Sequence, residues 1–569
     1  MVTKGYQKGV YDRVTLGIGD HASLPIRLDG SSEPHFFEMA SIVLVRAPCD
    51  QSIVRLAAYE TACQPEDRHW VLAATILGSS MAFVDSTAVN VALPALQSSL
   101  HASVVDVQWV VESYGLFLGA LILVGGSLGD LWGRRAVFVA GVVVFAAASM
   151  TCGLSATVRQ LILARSVQGI GAALLVPGSL AIISASFDRQ HRGQAIGTWS
   201  GFTAITSSIG PLLGGWLTER ASWRSVFFIN VPLAALVIAI SIWSIPESRS
   251  KRIPRIDWLG ATLATVGLGC LVFGFVESSN LGWWSPRVVG AISIGFGTLL
   301  GFVYTERRVH NPMVPLALFS SPNFSGANLV TLFLYAALGI FFFLLPLNLI
   351  QVQKYSATAT GAALLPLILL MFLLSRWSGG LVARYGPRLP LTVGPLLAGS
   401  GFALLAAQSL AVHYWSSFLP ALLVLGLGMA VTVAPLTTVV MNSAEADRAG
   451  AASGINNATA RIAGVMAIAI LGIVMVRAFE HHLNSMLVHK NLPYSDLQNI
   501  RANVTKLGGL QVPNDLAPEQ AAEVGQMVAQ SFVFGFRIVM LVCAALSAGS
   551  AMIGWRMIRK LPSEQNLPA

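Results

Sequence analysis

Asp85, Glu112 and Arg165 are ionisable side chains set inside long apolar runs of the sequence. An ionised carboxylate at the centre of a membrane helix costs about 2.5–3.5 kcal/mol on insertion scales, so it implies a partner or a task. Asp85 stands about 15 residues into its run, some ~22 Å along a helix that rises about 1.5 Å per residue. A carboxyl at that depth can carry a proton. Poor solvation favours the neutral acid, and an approaching cation favours the ionised form, so proton and cation would expel each other. The plainer alternative is a packing carboxylate bonded to Thr87, Asn90 or backbone. Arg165 cannot shed its proton. It must be paired or hydrated, or must snorkel from its place about five residues inside its run. Glu112, about five residues into the next run after Asp85, either shares a cavity with Asp85 or reaches head-group water. Arg461 and Arg376 are further guanidinium groups in apolar runs, with Arg376 close enough to an end to snorkel.

These residues need a membrane helix bundle to hold them. The chain is 54% hydrophobic and 11% charged, against about 25% charged in soluble domains. A soluble chain of 569 residues could not cover its surface with so little polarity. About fourteen runs are long enough to cross a bilayer, each with about 20 mostly apolar residues. They lie near 70–93, 107–129, 136–155, 161–183, 194–217, 225–245, 258–276, 287–305, 325–350, 360–382, 389–409, 415–437, 456–477 and 533–557. The expected fold is therefore all-α and integral to the membrane.

The net charge of +9 resides largely in short loops between runs, which is a topology signal and not a nucleic-acid footprint. Loops after even-numbered runs carry Arg134 and Arg135, Arg189 and Arg192, Arg249 with Lys251, Arg252 and Arg255, Arg307 and Arg308, and Arg384 and Arg388. Both termini are thus expected on the cytoplasmic side, although Arg220 and Arg224 fall on the other side. Residues 1–68 read as a poorly ordered cytoplasmic extension, 479–531 as a long polar external loop, and 559–569 as a cytoplasmic tail. The five cysteines show no metal-ligand spacing, and no phosphate-binding G-x-x-x-x-G-K-[ST] occurs. No metal and no cofactor is expected.

A repeat organises the runs. Gly126 to Arg135 and Gly379 to Arg388 share the pattern G-x-L-x-x-x-aromatic-G-x-R at an offset of 253 residues. The same offset carries the first run onto the ninth and the fifth onto the thirteenth. The chain thus reads as a six-helix half (69–247), two inserted helices (248–322) and a second six-helix half (323–558). Secondary transporters are often built from such repeats, with the substrate site near mid-membrane between the halves.

Four motifs carry a resemblance to the major facilitator superfamily, and within it to the fourteen-helix drug:proton antiporters (EmrB/QacA type). They are Asp85-Ser-Thr-Ala-Val-Asn90-Val-Ala-Leu-Pro94, Gly126 to Arg135, Arg165-Ser-Val-Gln168-Gly169-Ile-Gly171, and Gly210-Pro211-Leu-Leu-Gly214-Gly215. The resemblance covers roughly residues 69–560. It departs at Leu131, where the family often has a basic residue, and at Thr206, which replaces an optional glycine. It implies proton coupling through Asp85 and Arg165, with Glu112 as a further candidate. It also implies a gating latch in which Asp130 pairs with Arg134 or with a basic group of the second half. Gly126, Gly133, Arg135, Gly379, Gly386 and Arg388 complete the two copies, and Ala383 replaces the acid in the second. Gly210, Pro211, Gly214 and Gly215 resemble the antiporter motif, expected to seat the fifth helix closely against the tenth.

The resemblance implies export of hydrophobic or cationic small molecules in exchange for protons across the inner membrane of a bacterium. The alternatives are a dedicated exporter of an endogenous metabolite, antibiotic, siderophore or lipid, and a non-transporting receptor or scaffold. The expected partners are substrate, protons and lipid. In a host with two membranes, a periplasmic adaptor and an outer-membrane channel would join them.

Overall fold

The computed structural model describes residues 68–559, except 188, 250–256, 310, 311, 313, 411, 412, 444–448, 489, 491, 492 and 512–515. The expected extension before residue 68, most of the tail, and Lys251, Arg252 and Arg255 therefore lie outside the described residues, as does the side chain of Arg376.

The described residues are helical, with no strand among them. The long helices are α1 Arg68–Ser99, α2 Val104–Trp132, α3 Arg134–Leu154, α4 Val158–Ser186, α5 Arg189–Arg220, α6 Ser225–Ser244, α7 Trp258–Leu281 and α8 Pro286–Arg308. After them come α9 Pro322–Leu347, α10 Ala357–Gly379, α11 Pro390–Ala406, α12 Leu419–Asn442, α13 Ala449–Leu487 and α14 Pro518–Met557. Twelve spans among the described residues are long and apolar enough to cross a membrane. The two remaining runs are helical as well: α11 is shorter, and α5 is long but more polar.

Ends of these helices follow local chemistry. Ser103 accepts from the backbone N–H of Asp106 while the Asp106 carboxylate takes the Ser103 N–H, a reciprocal cap that starts α2. Gly133 separates α2 from α3 with φ of +117°, and a Cβ there would lie 2.4 Å from the Glu247 carboxylate. Its repeat counterpart Gly386 also has positive φ, +74°. Only glycine takes such conformations at little cost.

The expected loop 479–531 is shorter in the structure. α13 runs on to Leu487 and α14 begins at Pro518, with a helix at Tyr494–Ala502 and a 3-10 turn at Val504–Gly509 between them. The reason is apolar spacing: Phe479, Leu483 and Leu487 form a buried i, i+4 row, and Val524, Met527 and Val528 are buried on α14. The two extended helices share one apolar cluster.

The hydrophobic clusters show how the halves meet. Near the 488–517 loop, one continuous cluster joins α1, α2 and α4 to α9, α10, α13 and α14. Near the Gly133 turn the clusters separate. One is built from α1 to α6 with only Ala458 from the second half, and another mainly from α9, α11, α12, α13 and Ile558. The halves are thus fused at the loop end and largely separate at the basic end. α7 lies beside α2, where the Trp109 indole donates to Glu277 at 2.9 Å, and α8 packs mainly on α7 with little of its surface buried.

Candidate functional site

Helices α1, α3, α4 and α6 converge on Asp85. One carboxylate oxygen accepts from the Arg165 guanidinium at 2.5 Å. The other accepts from the Gln168 amide at 2.8 Å and from the Asn230 amide at 3.1 Å. Arg165 also donates to the Gln168 side chain at 2.8 Å and to the Val110 carbonyl at 3.2 Å. Its guanidinium lies 4.2 Å from the Tyr114 ring centre and 5.8 Å from that of Phe227. Ser149 ties the base of the network, receiving both amides and donating to the Phe227 carbonyl. Asp85 and Arg165 are each about 1% exposed, and Gln168, Asn230 and Ser149 are fully enclosed.

Two charges at that depth persist only because each polar edge is met. Arg165 does not snorkel: its side chain is enclosed, and its planar fork is filled by Asp85, Gln168 and backbone. Neither Thr87 nor Asn90 bonds Asp85; Thr87 donates to the Phe83 and Val84 carbonyls instead. Sequence reasoning quoted Gln168 without a role and missed Asn230 and Ser149. A lone asparagine in the apolar Phe227–Pro232 stretch was the available signal.

Glu112 does not join this network. It is fully buried, and among the described residues neither carboxyl oxygen meets a donor. It lies on the α2 face that packs on α13. One turn before it, Gln108 donates to the Ile468 carbonyl at 3.4 Å. Beyond it, a Cβ on Gly115 would meet Val465 and one on Gly119 would meet Arg461. An expected contact with head-group water is absent from a side chain so enclosed. The surroundings suit a neutral acid, because an ionised one would have neither counter-charge nor hydrogen bond.

At the basic end, Arg134 grips Asp130 through two hydrogen bonds of 2.9 and 2.8 Å. Glu247, at the end of α6, accepts from the backbone N–H groups of Arg135 and Ala136 at 3.1 and 3.0 Å. It thereby caps α3 where a negative charge suits the helix N-terminus. Arg135 adds a bond to the Ile245 carbonyl at 3.0 Å. In the second copy Arg388 instead lies 3.9 Å over the Trp555 ring on α14. Gly126 faces Pro177, and Gly379 is open. The sequence did not single out Glu247, whose loop reads as basic.

The glycines of α5 mark close approach. A Cβ on Gly210 would meet Thr87 at 2.0 Å, and one on Gly214 would meet Ala88 at 2.7 Å, both on α1. A Cβ on Gly215 would stand 2.2 Å from the Ala357 carbonyl on α10, and Gly361 of α10 faces the Pro211 carbonyl at 2.2 Å. The fifth helix is therefore wedged between the first and the tenth. Outside that wedge, at the loop end, a cavity of about 390 Å³ is lined by His101, Lys354, Lys506, Gln97, Gln351 and Gln511 among others.

Comparison with known proteins places this geometry. A tetracenomycin C resistance and export protein of Streptomyces glaucescens is 32% identical over 89% of this chain and 95% of its own. The multidrug resistance protein Stp of Mycobacterium tuberculosis is 34% identical over 85% of this chain and 91% of its own. The puromycin resistance protein pur8 of Streptomyces alboniger is 34% identical over 74% and 85%. Among solved structures, a bacterial homologue of the human lysosomal transporter Spinster, inward-facing and unoccupied, superposes with a TM-score of 0.60 at 16% identity. That match covers 88% of this chain and all of the other. Residues 75–468 match the model of the Major Facilitator Superfamily, and the chain belongs to that family of membrane transporters, on the branch of its drug resistance and efflux members.

Proposed function

We propose that this chain is a proton-coupled antiporter that exports drug-sized amphiphilic molecules across the cytoplasmic membrane of a bacterium. The observation that carries the reading is the enclosed Asp85–Arg165 pair with its Gln168 and Asn230 partners. Ionisable groups inside membrane helices are rare and costly and by default mark a proton or ion pathway. In this reading α5 and α11 are also crossings, and the basic loops favour a cytoplasmic basic end with both termini on that side. The cargo then enters where the half-clusters separate and leaves past the wedge of α1, α5 and α10.

In this reading the conformation open to the cytoplasm holds Asp85 ionised against Arg165 and Glu112 as a neutral acid. Rocking of residues 69–247 against 323–558 breaks the loop-end cluster, opens the path outward and changes the surroundings of both carboxyls. The Asp130–Arg134 and Glu247 contacts hold the α2–α3 turn rigid and act as a gating latch.

The test is efflux of a broad dye panel from cells stripped of their own pumps, with and without a protonophore, comparing the native chain with Asp85→Asn. Efflux that collapses with the protonophore and is lost in Asp85→Asn at equal expression supports the reading. Efflux that survives both removes proton coupling through Asp85.

A second reading is a dedicated exporter of one antibiotic or endogenous metabolite. It is favoured by relatives named for single antibiotics, tetracenomycin C and puromycin among them. A chain that moves none of a broad panel yet protects against one compound is that exporter.

A further inference from the structure

We propose that the cargo carries an acidic group and that Arg461 of α13 is its recognition point, so that the exported molecule is an aromatic anion and not a cation. This rests on the export reading above and takes a different cargo charge from the hydrophobic or cationic molecules expected from the sequence.

Arg461 is half-buried, and its guanidinium lies 5.4 Å from the Phe83 ring centre on α1. Its stem lies against α2 at Gly119, where a Cβ would come within 3.3 Å of the Arg461 Cβ. α9 of the second half packs on α13, where a Cβ on Gly339 would lie 2.5 Å from Gly464. Helices of both halves therefore surround it, which is where a mid-membrane cargo site belongs in a two-half transporter. Among the described residues no carboxylate and no hydrogen-bond acceptor meets this guanidinium; its one contact of note is the Phe83 ring. Arg165, by contrast, has its donors filled by Asp85, Gln168 and Val110.

An arginine cannot neutralise itself. A guanidinium left unpaired within a membrane bundle is costly, and an incoming anion removes that cost. Its planar fork accepts a carboxylate in two parallel hydrogen bonds. The partly exposed Phe83 ring beside it gives an aromatic cargo an apolar partner. Among the described residues no carboxylate is offered to a cation in the same space. Asp85 is consumed by Arg165, and Glu112 is enclosed against α13.

The cavity at the loop end carries the same sign independently. Among the described residues its lining holds Lys354, Lys506 and His101 and no acidic side chain. The Lys354 ammonium donates to the Gln351 carbonyl at 2.7 Å and meets no carboxylate among the described residues. At about 390 Å³ it falls in the usual range for drug-sized ligands, about 300–1,000 Å³. A basic point inside the bundle and a basic vestibule beyond the wedge describe a path for an anion.

The test pairs two xanthene dyes of similar shape, anionic fluorescein and cationic rhodamine 123. Everted membrane vesicles containing the full chain are energised with a proton gradient, and uptake is followed for the native chain, Arg461→Gln and Arg461→Lys. Dye-induced shifts in melting temperature are read in parallel on purified protein. The expected result is proton-driven uptake of fluorescein and not of rhodamine 123. Arg461→Gln should weaken fluorescein binding at least about tenfold, as expected for a lost charge-assisted hydrogen bond, without lowering the melting temperature of the dye-free protein. Arg461→Lys should keep an intermediate rate. Uptake of rhodamine 123 in place of fluorescein, or of both alike, overturns the inference and leaves the export reading standing. Unchanged fluorescein uptake in Arg461→Gln overturns it too. If neither dye moves but fluorescein stabilises the native chain and not Arg461→Gln, the anion site stands and the export reading falls. If neither dye moves nor binds, both fall.

Discussion

Gly215 of α5 and Ala357 of α10 touch backbone to backbone: a single Cβ on Gly215 would stand 2.2 Å from the Ala357 carbonyl oxygen. With Gly361 against the Pro211 carbonyl, the contact runs in both directions across the boundary between the halves. Gly215→Val cannot be absorbed by a rotamer change, because the obstacle is backbone. Overpacking of this kind costs about 1–3 kcal/mol. The expected outcome is a lower melting temperature in detergent and at least tenfold slower dye efflux, while Thr206→Gly on the same helix leaves both near native. Native-like efflux by Gly215→Val would remove the wedge from the mechanism.

Asp85→Asn and Arg165→Gln should differ in stability although both should abolish proton-driven efflux. Asp85→Asn leaves the Arg165 charge buried without its counter-ion, a loss of about 3–5 kcal/mol when one member of such a pair is removed. The double variant Asp85→Asn with Arg165→Gln should recover much of that stability and none of the transport. Melting curves and vesicle uptake on the three proteins check this. Recovery of uptake in the double variant would show that the pair is architectural.

Glu112→Gln preserves shape and replaces a carboxyl that has no hydrogen-bond partner with a neutral amide. Stability should change by about 1 kcal/mol or less, since no salt bridge is lost. The pH dependence of uptake should flatten if Glu112 is one of the proton-bearing groups. A strongly destabilised Glu112→Gln would mean that the carboxyl is ionised and held by contacts that appear in another conformation.

Gly133→Ala places a Cβ at 2.4 Å from the Glu247 carboxylate on a backbone with φ of +117°. Strain in that region costs about 1–3 kcal/mol. Glu247→Ala removes the cap on Arg135 and Ala136 and should cost about 0.5–2 kcal/mol by itself. Because both act on one contact, the double variant should lose less than the sum of the two, and thermal denaturation of the four proteins measures the coupling.

The sequence by itself determined the class of fold and the order of the long helices, and its repeated loop motif is what suggests a duplication. Hydrophobic run length is a local property, and a bilayer demands it wherever a chain crosses it. It also marked Asp85, Arg165 and the Gly210–Gly215 run, because charge and small residues stand out in apolar segments. It misjudged 479–531, where apolar rows spaced four apart extend α13 and α14 although the average composition is polar. Only the tertiary structure decided who meets whom. Asn230 and Ser149 come to Asp85 from 145 residues away and from a separate helix, and an amide or hydroxyl in a run carries no signal of its partner. The enclosure of Glu112, the cap from Glu247 and the unpaired state of Arg461 are likewise facts of helix packing. They arise because burial and counter-charge belong to the space between helices, which no single run of sequence contains.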